Sequence, residues 1–298
     1  MPTKPLSLLS PAKVNLFLEV LEKRPDGFHS IESVFQAVSL ADRLDAEVTE
    51  EGGGITLETD HPDLPTDEGN LVVRAARMVR EKSGSTKGLH FKLQKNIPLE
   101  SGLGGGSSNA ATALRLANIL LRANFNDAIL REMAAELGSD VPFFLYSGAC
   151  LCKGRGEEIE PIEPLGNSLP ITVLVSDLRS STKQAYAGLK LPGKGEQKSS
   201  YRLVRAMAEK NIPSLVKTAF NRFEPTVFAA IPELGELHRL LSRIPGLSPR
   251  MSGSGSSLWL AVPSGSVDLA IRNMQSLGKL AEKINLQVIQ TYPLGTRD

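Results

Sequence analysis

The stretch P-L-E-S-G-L-G-G-G-S-S-N-A-A, Pro98 to Ala111, sets four glycines and three serines directly before an alanine-rich apolar run. Upstream, L-H-F-K-L-Q-K (Leu89 to Lys95) alternates apolar and polar residues and reads as a strand. Downstream, Leu114, Ala117, Leu120 and Leu121 recur at helical spacing, which predicts a helix from Ala110 to about Ala123. Glycine backbone at that junction lets a ligand approach closely, while a helix N-terminus offers unpaired N–H groups and roughly half a positive charge. The combination suits phosphate. Ser107 and Ser108 add hydroxyls for phosphate oxygens or a hydrated magnesium ion.

The two commonest phosphate patterns do not fit. No Lys-Ser or Lys-Thr follows the glycines as the Walker loop requires, and Ser107 stands where a dinucleotide fingerprint would place its third glycine after Gly102 and Gly104. A near-Walker stretch, G-L-K-L-P-G-K-G (Gly188 to Gly195), puts Gly195 where a hydroxyl residue is needed and reads as a solvated loop. Neither H-R-D nor D-F-G occurs, which excludes the protein-kinase set.

A chain of 298 residues is long enough for two domains and a sizeable core. Its net charge of +1 creates no field favouring nucleic acid or an anionic membrane, so any anion must be held locally. Cys150 and Cys152 form a C-x-C that matches neither a redox pair nor a zinc half-site and reads as reduced thiols in a strand. Pro11 and Lys13 interrupt the only leucine-containing patch near the N-terminus, and no apolar run approaches the roughly 18 residues of a membrane span. The expected compartment is the cytoplasm, with no membrane or nucleic-acid partner.

Short β-branched or alternating runs predict strands at Val14–Leu21, Ser33–Leu40, Leu44–Thr49 and Ile55–Asp60. Asn70 is placed to cap a helix running to about Lys82, with Leu71, Ala75, Met78 and Val79 on one face. Helical patterns follow at Tyr201–Glu209, Leu234–Ile244 and from about Val267, with strands at Ile171–Ser176, Ser257–Val262 and Leu286–Tyr292. The Pro-rich E-P-I-E-P-L-G-N-S-L-P places a domain boundary near Leu165, dividing the chain into 1–165 and 166–298.

P-x-x-x-G-L-G-G-G-S-S-N resembles the nucleotide loop of the GHMP small-molecule kinases. P-A-K-V-N-L-F-L (Pro11 to Leu18), R-P-D-G-F-H-S-I (Arg24 to Ile31), G-S-D-V-P-F-F (Gly138 to Phe144) and S-G-S-G-S-S (Ser252 to Ser257) resemble, in order, further motifs of the branch acting on a cytidyl diphosphate sugar alcohol. One departure is Phe28, where that branch often has tyrosine. The resemblance implies a two-domain α/β (α+β) GHMP kinase fold: an N-terminal ribosomal-S5-domain-2-like domain, a C-terminal ferredoxin-like domain and a cleft between them. It also implies phosphorylation by ATP, carried with Mg2+, of a hydroxyl on a small molecule bearing a cytidine diphosphate group, a step of non-mevalonate isoprenoid precursor synthesis.

By the same resemblance, ATP meets Pro98, Leu99, Glu100, Ser101, Gly102, Leu103, Gly104, Gly105, Gly106, Ser107 and Ser108, with Asn70, Leu71 and Lys95 bordering adenine. Asp140 is the carboxylate expected to take or orient the hydroxyl proton; it follows a predicted helix end, where the dipole disfavours a carboxylate. Lys13 and Asn15 project on one face of a strand, and Lys13 is expected beside Asp140, with Asn15 orienting it or meeting substrate. Phe28 is expected to stack on cytosine, His29 to read its edge, Tyr186 to supply a second face, and Thr182, Gly253 and Ser254 to meet the diphosphate. Two other readings stay open: a GHMP kinase for mevalonate or homoserine, separable by a substrate panel, and a nucleotide-binding regulator, which would leave ATP intact whatever alcohol is present.

Overall fold

The computed structural model describes residues 5–146, 148–193 and 195–295, which form two compact units. The strands β1 (Leu6–Lys23) and β2 (His29–Glu51) contribute residues to both. The units interleave along the chain; the division at Leu165 is a different, sequential one and stands as a proposal.

The first unit gathers the described residues up to Ala12, Leu40–Leu99 and Gly104–Tyr146. Here β3 (Ile55–Thr59) runs parallel to β4 (Lys87–Gln94), Ile55 opposite Leu89. On the other edge of β4, β2 runs antiparallel, with Arg43 opposite Gln94 and Val48 opposite Leu89. The alternation read in Leu89–Lys95 has its cause here: Leu89, Phe91 and Leu93 are buried, each contributing about 1.5–3 kcal/mol of apolar burial.

Among the described residues this unit has three helices, α1 (Leu71–Ser83), α2 (Gly105–Leu120) and α3 (Asp127–Leu137), followed by a 3-10 turn at Pro142–Leu145. Asn70 caps α1, its Oδ1 accepting from the Val72 N–H at 3.0 Å, and Gly84 ends it in the left-handed region at φ 66°. Ala75 and Ala76 of α1 and Ala110, Ala113 and Ala117 of α2 are buried, and such small side chains let the two helices pack closely. The helix expected from Ala110 begins earlier, at Gly105, so two glycines form its first turn.

The second unit comprises Lys13–Ser39, Glu100–Leu103 and the described residues after Tyr146. β5 (Ala149–Lys153) pairs antiparallel with β2, Ser33 opposite Cys152, and with β6 (Glu158–Ile162). Both cysteines are free and buried in β5, and burial pushes the Cys150 thiol up to about 12. A second, antiparallel sheet has the order β11-β7-β10-β9, from β7 (Ile171–Val175), β9 (Arg250–Met251), β10 (Leu258–Leu260) and β11 (Gln287–Thr291). The short β8 (Phe220–Asn221) runs parallel to β1, Phe17 opposite Phe220.

Seven helices belong to this unit among the described residues: α4 (Thr182–Ala187), α5 (Tyr201–Ala208), α6 (Ile212–Thr218), α7 (Glu224–Ala230), α8 (Pro232–Ser242), α9 (Ser264–Asn273) and α10 (Gln275–Lys283). Leu234, Leu237 and Leu241 of α8, Val267 of α9 and Leu277 of α10 share one apolar core with Leu174 and Leu258. Arg222 grips the fully buried Glu19 through two bonds of 2.6 Å, and the Lys198 N–H adds a third at 2.9 Å, tying the backbone at Lys198 to β1. Leu191 of the near-Walker stretch is exposed, and its Lys194 lies outside the described residues. No helix among the described residues is long and apolar enough to cross a membrane.

Candidate active site

The glycine loop alternates left-handed residues: Glu100 at φ 52°, Gly102 at 76° and Gly104 at 75°. Gly102 has a second reason to lack a side chain, because a Cβ there would lie 2.3 Å from the Ser252 carbonyl oxygen. Gly104 is the N-cap of α2 and supplies no side-chain acceptor, leaving the first-turn N–H groups to a ligand. Ser101 and Leu103 are buried, whereas Pro98 and Leu99 are half-buried. The Ser108 hydroxyl is buried at the first turn with no hydrogen-bond partner among the described residues, and Ser107 is half-buried beside it.

Beneath Gly105 lies a polar cluster that the sequence reading missed. Asp42, fully buried, accepts from the Asn96 N–H at 2.7 Å, the Ile97 N–H at 2.8 Å, the Asn109 amide at 2.9 Å and the Lys95 ammonium. Lys95 also donates to Asn109 Oδ1 at 3.3 Å, and its side chain is 4 % exposed. A Cβ on Gly105 would meet the Lys95 nitrogen and Ile97 Cγ2 at 3.1 Å, so the turn rests directly on this cluster. Of the residues expected near adenine, Asn70 uses its carbonyl oxygen as the α1 cap and donates to the Pro65 carbonyl, Leu71 is half-buried, and Lys95 is engaged with Asp42.

Lys13 and Asn15 do share a face. The Lys13 ammonium donates to Asn15 Oδ1 at 2.5 Å and sits 4.9 Å from the centre of the Phe35 ring. Asn15 in turn donates to Ser33 Oγ at 2.9 Å, and Ser33 donates to the Phe17 carbonyl at 2.6 Å, so the amide orientation is fixed by a chain of donors. The backbone is tied down as well: the Lys13 N–H reaches the Leu103 carbonyl at 2.9 Å, and Trp259 Nε1 donates to the Asn15 carbonyl at 3.0 Å. Ser252 joins the pair to the loop, accepting from the Asn15 N–H at 3.3 Å and donating to the Gly102 carbonyl at 3.0 Å. Asn221 holds the turn carrying Gly253 by donating to the Met251 and Gly253 carbonyls at 2.7 and 2.8 Å. A nearly immobile cation results, suited to stabilising charge that develops in a reaction.

Asp140 lies half-buried three residues beyond the end of α3, in the turn where the Val141 N–H reaches the Gly138 carbonyl at 3.2 Å. No group of three or more His, Cys, Asp or Glu among the described residues could hold a metal ion.

Phe28 is 51 % exposed, with the Arg155 guanidinium 4.9 Å above its ring. Its N–H donates to Asp26, whose carboxyl also takes Arg24 Nε at 3.0 Å; desolvation opposes the ionised form of Asp26, but these bonds and the arginine charges hold its carboxyl below the usual range. His29, rather than Phe28, faces Tyr186, the rings stacked at 4.8 Å and 23°. Desolvation and then the charge of Lys23 lower the His29 pKa, favouring a neutral imidazole. Tyr186 is itself fixed edge-on by Phe223 at 4.8 Å. Thr182 and Ser254, both expected near a diphosphate, are brought together with hydroxyls 2.8 Å apart.

A family model for the GHMP kinases N terminal domain matches residues 70–148. A 4-diphosphocytidyl-2-C-methyl-D-erythritol kinase from Pelotomaculum thermopropionicum is 38% identical over 258 residues, spanning 85% of this chain and 88% of its own. The chain belongs to the 4-diphosphocytidyl-2-C-methyl-D-erythritol kinase family. A crystal structure of a 4-(cytidine 5'-diphospho)-2C-methyl-D-erythritol kinase matches with a TM-score of 0.76 at 31% identity, covering 96% of this chain and 99% of that one. The homoserine kinase of Cytophaga hutchinsonii, at 20% identity, has a TM-score of 0.74 over 99% of this chain and 96% of its own, which shows a shared fold. The fold of this kinase family member is therefore the GHMP kinase fold.

Proposed function

We infer that the chain transfers the γ-phosphoryl group of ATP to the 2-hydroxyl of 4-diphosphocytidyl-2-C-methyl-D-erythritol, a step of non-mevalonate isoprenoid precursor synthesis. The observation that carries this reading is the 38% identity, over 85% of the chain, to a relative of that name. In the reaction the hydroxyl oxygen bonds to the γ-phosphorus, the bond from that phosphorus to the bridging oxygen breaks, ADP leaves and the alcohol proton departs.

In this proposal Asp140 receives or orients that proton. Lys13, steadied by Asn15, stabilises negative charge on the reacting oxygens. The loop from Pro98 to Ser108 cradles the ATP phosphates, and Asn70, Leu71 and Lys95 border adenine, the first and last through positions already fixed by their own hydrogen bonds. Magnesium carried with ATP neutralises phosphate charge when bound, and the hydroxyls of Ser107 and Ser108 are the groups to meet it; the buried, unpartnered Ser108 oxygen fits that role. Phe28 and Tyr186 serve the cytosine faces, His29 its edge, and Thr182, Gly253 and Ser254 the diphosphate. The proposed compartment is the cytoplasm.

The test is incubation with ATP, magnesium and the cytidyl diphosphate substrate, followed by mass spectrometry. A product carrying one added phosphoryl group is expected, with mevalonate and homoserine unchanged. Equal turnover of either alcohol, or ATP binding without any product, would overturn the reading.

A further inference from the structure

A cleft of about 540 Å³ opens within the second unit, and Glu100, Gly102, Arg179, Thr182, Lys183 and Ser254 are among the residues lining it. We propose that Arg179 and Lys183 form a cationic grip for the diphosphate of the substrate, an inference that rests on the kinase reading above. Both belong to the stretch L-R-S-S-T-K-Q (Leu178 to Gln184), which sequence reasoning entered only for Thr182.

Three features favour a diphosphate. Two basic side chains, Arg179 and Lys183, line the cleft with one carboxylate, Glu100, in a chain whose net charge is only +1, so an anion here is drawn by groups at this wall rather than by a field of the whole molecule. Neutral donors line the same cleft: the Thr182 and Ser254 hydroxyls are 2.8 Å apart, and Ser180 Oγ pins the Ser254 carbonyl at 2.6 Å. Gly102 and Gly255, at φ 76° and 93°, give the cleft a wall of bare backbone against which a bulky anion can lie. The arginine fork suits paired phosphate oxygens, and the lysine acts as a mobile point charge beside it. The same chemistry would be offered by the phosphates of ATP, and the experiment separates the two sources.

The full chain, its Arg179→Gln and Lys183→Gln variants and the double variant are compared by steady-state kinetics, and by calorimetric titration with a cytidine diphosphate ester. The double variant is expected to raise the KM for the cytidyl substrate, and to weaken ester binding, about tenfold, as loss of partly exposed charge-assisted hydrogen bonds would. The KM for ATP should stay within about twofold, and the rise of substrate KM with salt should flatten. Arg179→Lys keeps the charge but not the fork and should weaken binding less than Arg179→Gln does. The melting temperature of Lys183→Gln should not move, because that side chain is exposed. An unchanged substrate KM and ester affinity would overturn the proposal, and a parallel rise in the KM for ATP would overturn it in favour of nucleotide phosphates. A failure of the unaltered chain to turn over the cytidyl substrate would strike the kinase reading instead, while ester binding by the variants still decides the grip.

Discussion

Under Gly105, charge is buried and fully paired, with Asp42 taking two backbone N–H groups, an amide and the Lys95 ammonium while wholly excluded from water. Around Phe28, by contrast, the ring is half out in solvent and the charged groups near it, Arg24, Asp26 and Arg155, are partly exposed. In the proposed function the first region supports the loop that meets ATP, the co-substrate shared by kinases of the fold, and its buried, mutually bonded groups are held in place before any ligand arrives. In the same proposal the second meets the part of the substrate that differs between kinases, where exposed aromatic faces and surface cations can be exchanged with little cost to the core.

Removing the carboxylate from the buried cluster gives the largest expected effect. Asp42→Ala leaves the Lys95 ammonium buried without its counter-charge and should cost about 3–5 kcal/mol in denaturant unfolding. A loss below about 1 kcal/mol would break the comparison, since the cluster would then behave like a surface pair. Asp140→Asn comes next and separates phosphate holding from chemistry: kcat should fall about 100-fold with calorimetric ATP affinity retained. Near-normal turnover in a folded variant would remove Asp140 from the proposed mechanism.

Smaller changes are expected at the exposed region. Phe28→Ala should weaken substrate binding by about 1–3 kcal/mol, by analogy with base stacking in nucleic-acid sites, and leave both ATP affinity and unfolding midpoint unchanged. Phe28→Tyr should be tolerated because the ring face survives. A large stability loss in Phe28→Ala would show that this ring is structural. The smallest effect concerns pH. His29 titrates below its ordinary value near 6.5, so its neutral form is the one present at neutral pH. Substrate KM should be flat from neutral to mildly alkaline pH and rise only as pH falls below that ordinary value, where protonation places a second cation beside Lys23. A rise on the alkaline side would contradict the assignment.

Asp42 also shows why parts of the fold were hidden in the sequence. Ser33–Leu40 and Leu44–Thr49 read as two strands because a carboxylate between apolar runs resembles a turn, yet both lie in β2, His29–Glu51. The Lys95 ammonium, the Asn109 amide and the N–H groups of Asn96 and Ile97, all supplied by distant segments, make a buried aspartate tolerable at that place. The first turn of α2 was hidden for the opposite reason, since Gly105 and Gly106 have poor intrinsic helix propensity and carry no periodic apolar signal. The first strand was expected only from Val14, yet β1 begins at Leu6 and runs through Pro11. Within the candidate site, the shared face of Lys13 and Asn15 was legible because strand periodicity alone dictates it. Ser33, Asn221 and Ser252 were not, because each acts on a backbone group brought to it by tertiary folding. The short helices α6 and α7, of seven residues each, fall below the length at which periodicity is readable.

The bond from Trp259 Nε1 to the Asn15 carbonyl spans 244 positions of the chain. Proteins emerge from the ribosome N-terminus first, at about 5–20 residues per second, so roughly 12 to 50 seconds separate the birth of Asn15 from that of its indole donor. Ser252, which receives the Asn15 N–H, arrives only slightly sooner. During that interval the nascent strand holding Lys13 and Asn15 has water in place of both partners. One of the first segments to be made is therefore among the last to acquire its final surroundings, and a transcript truncated before Ser252 would yield a chain that keeps the Lys13 bonds to Leu103 and Asn15 but lacks both groups that hold the Asn15 backbone.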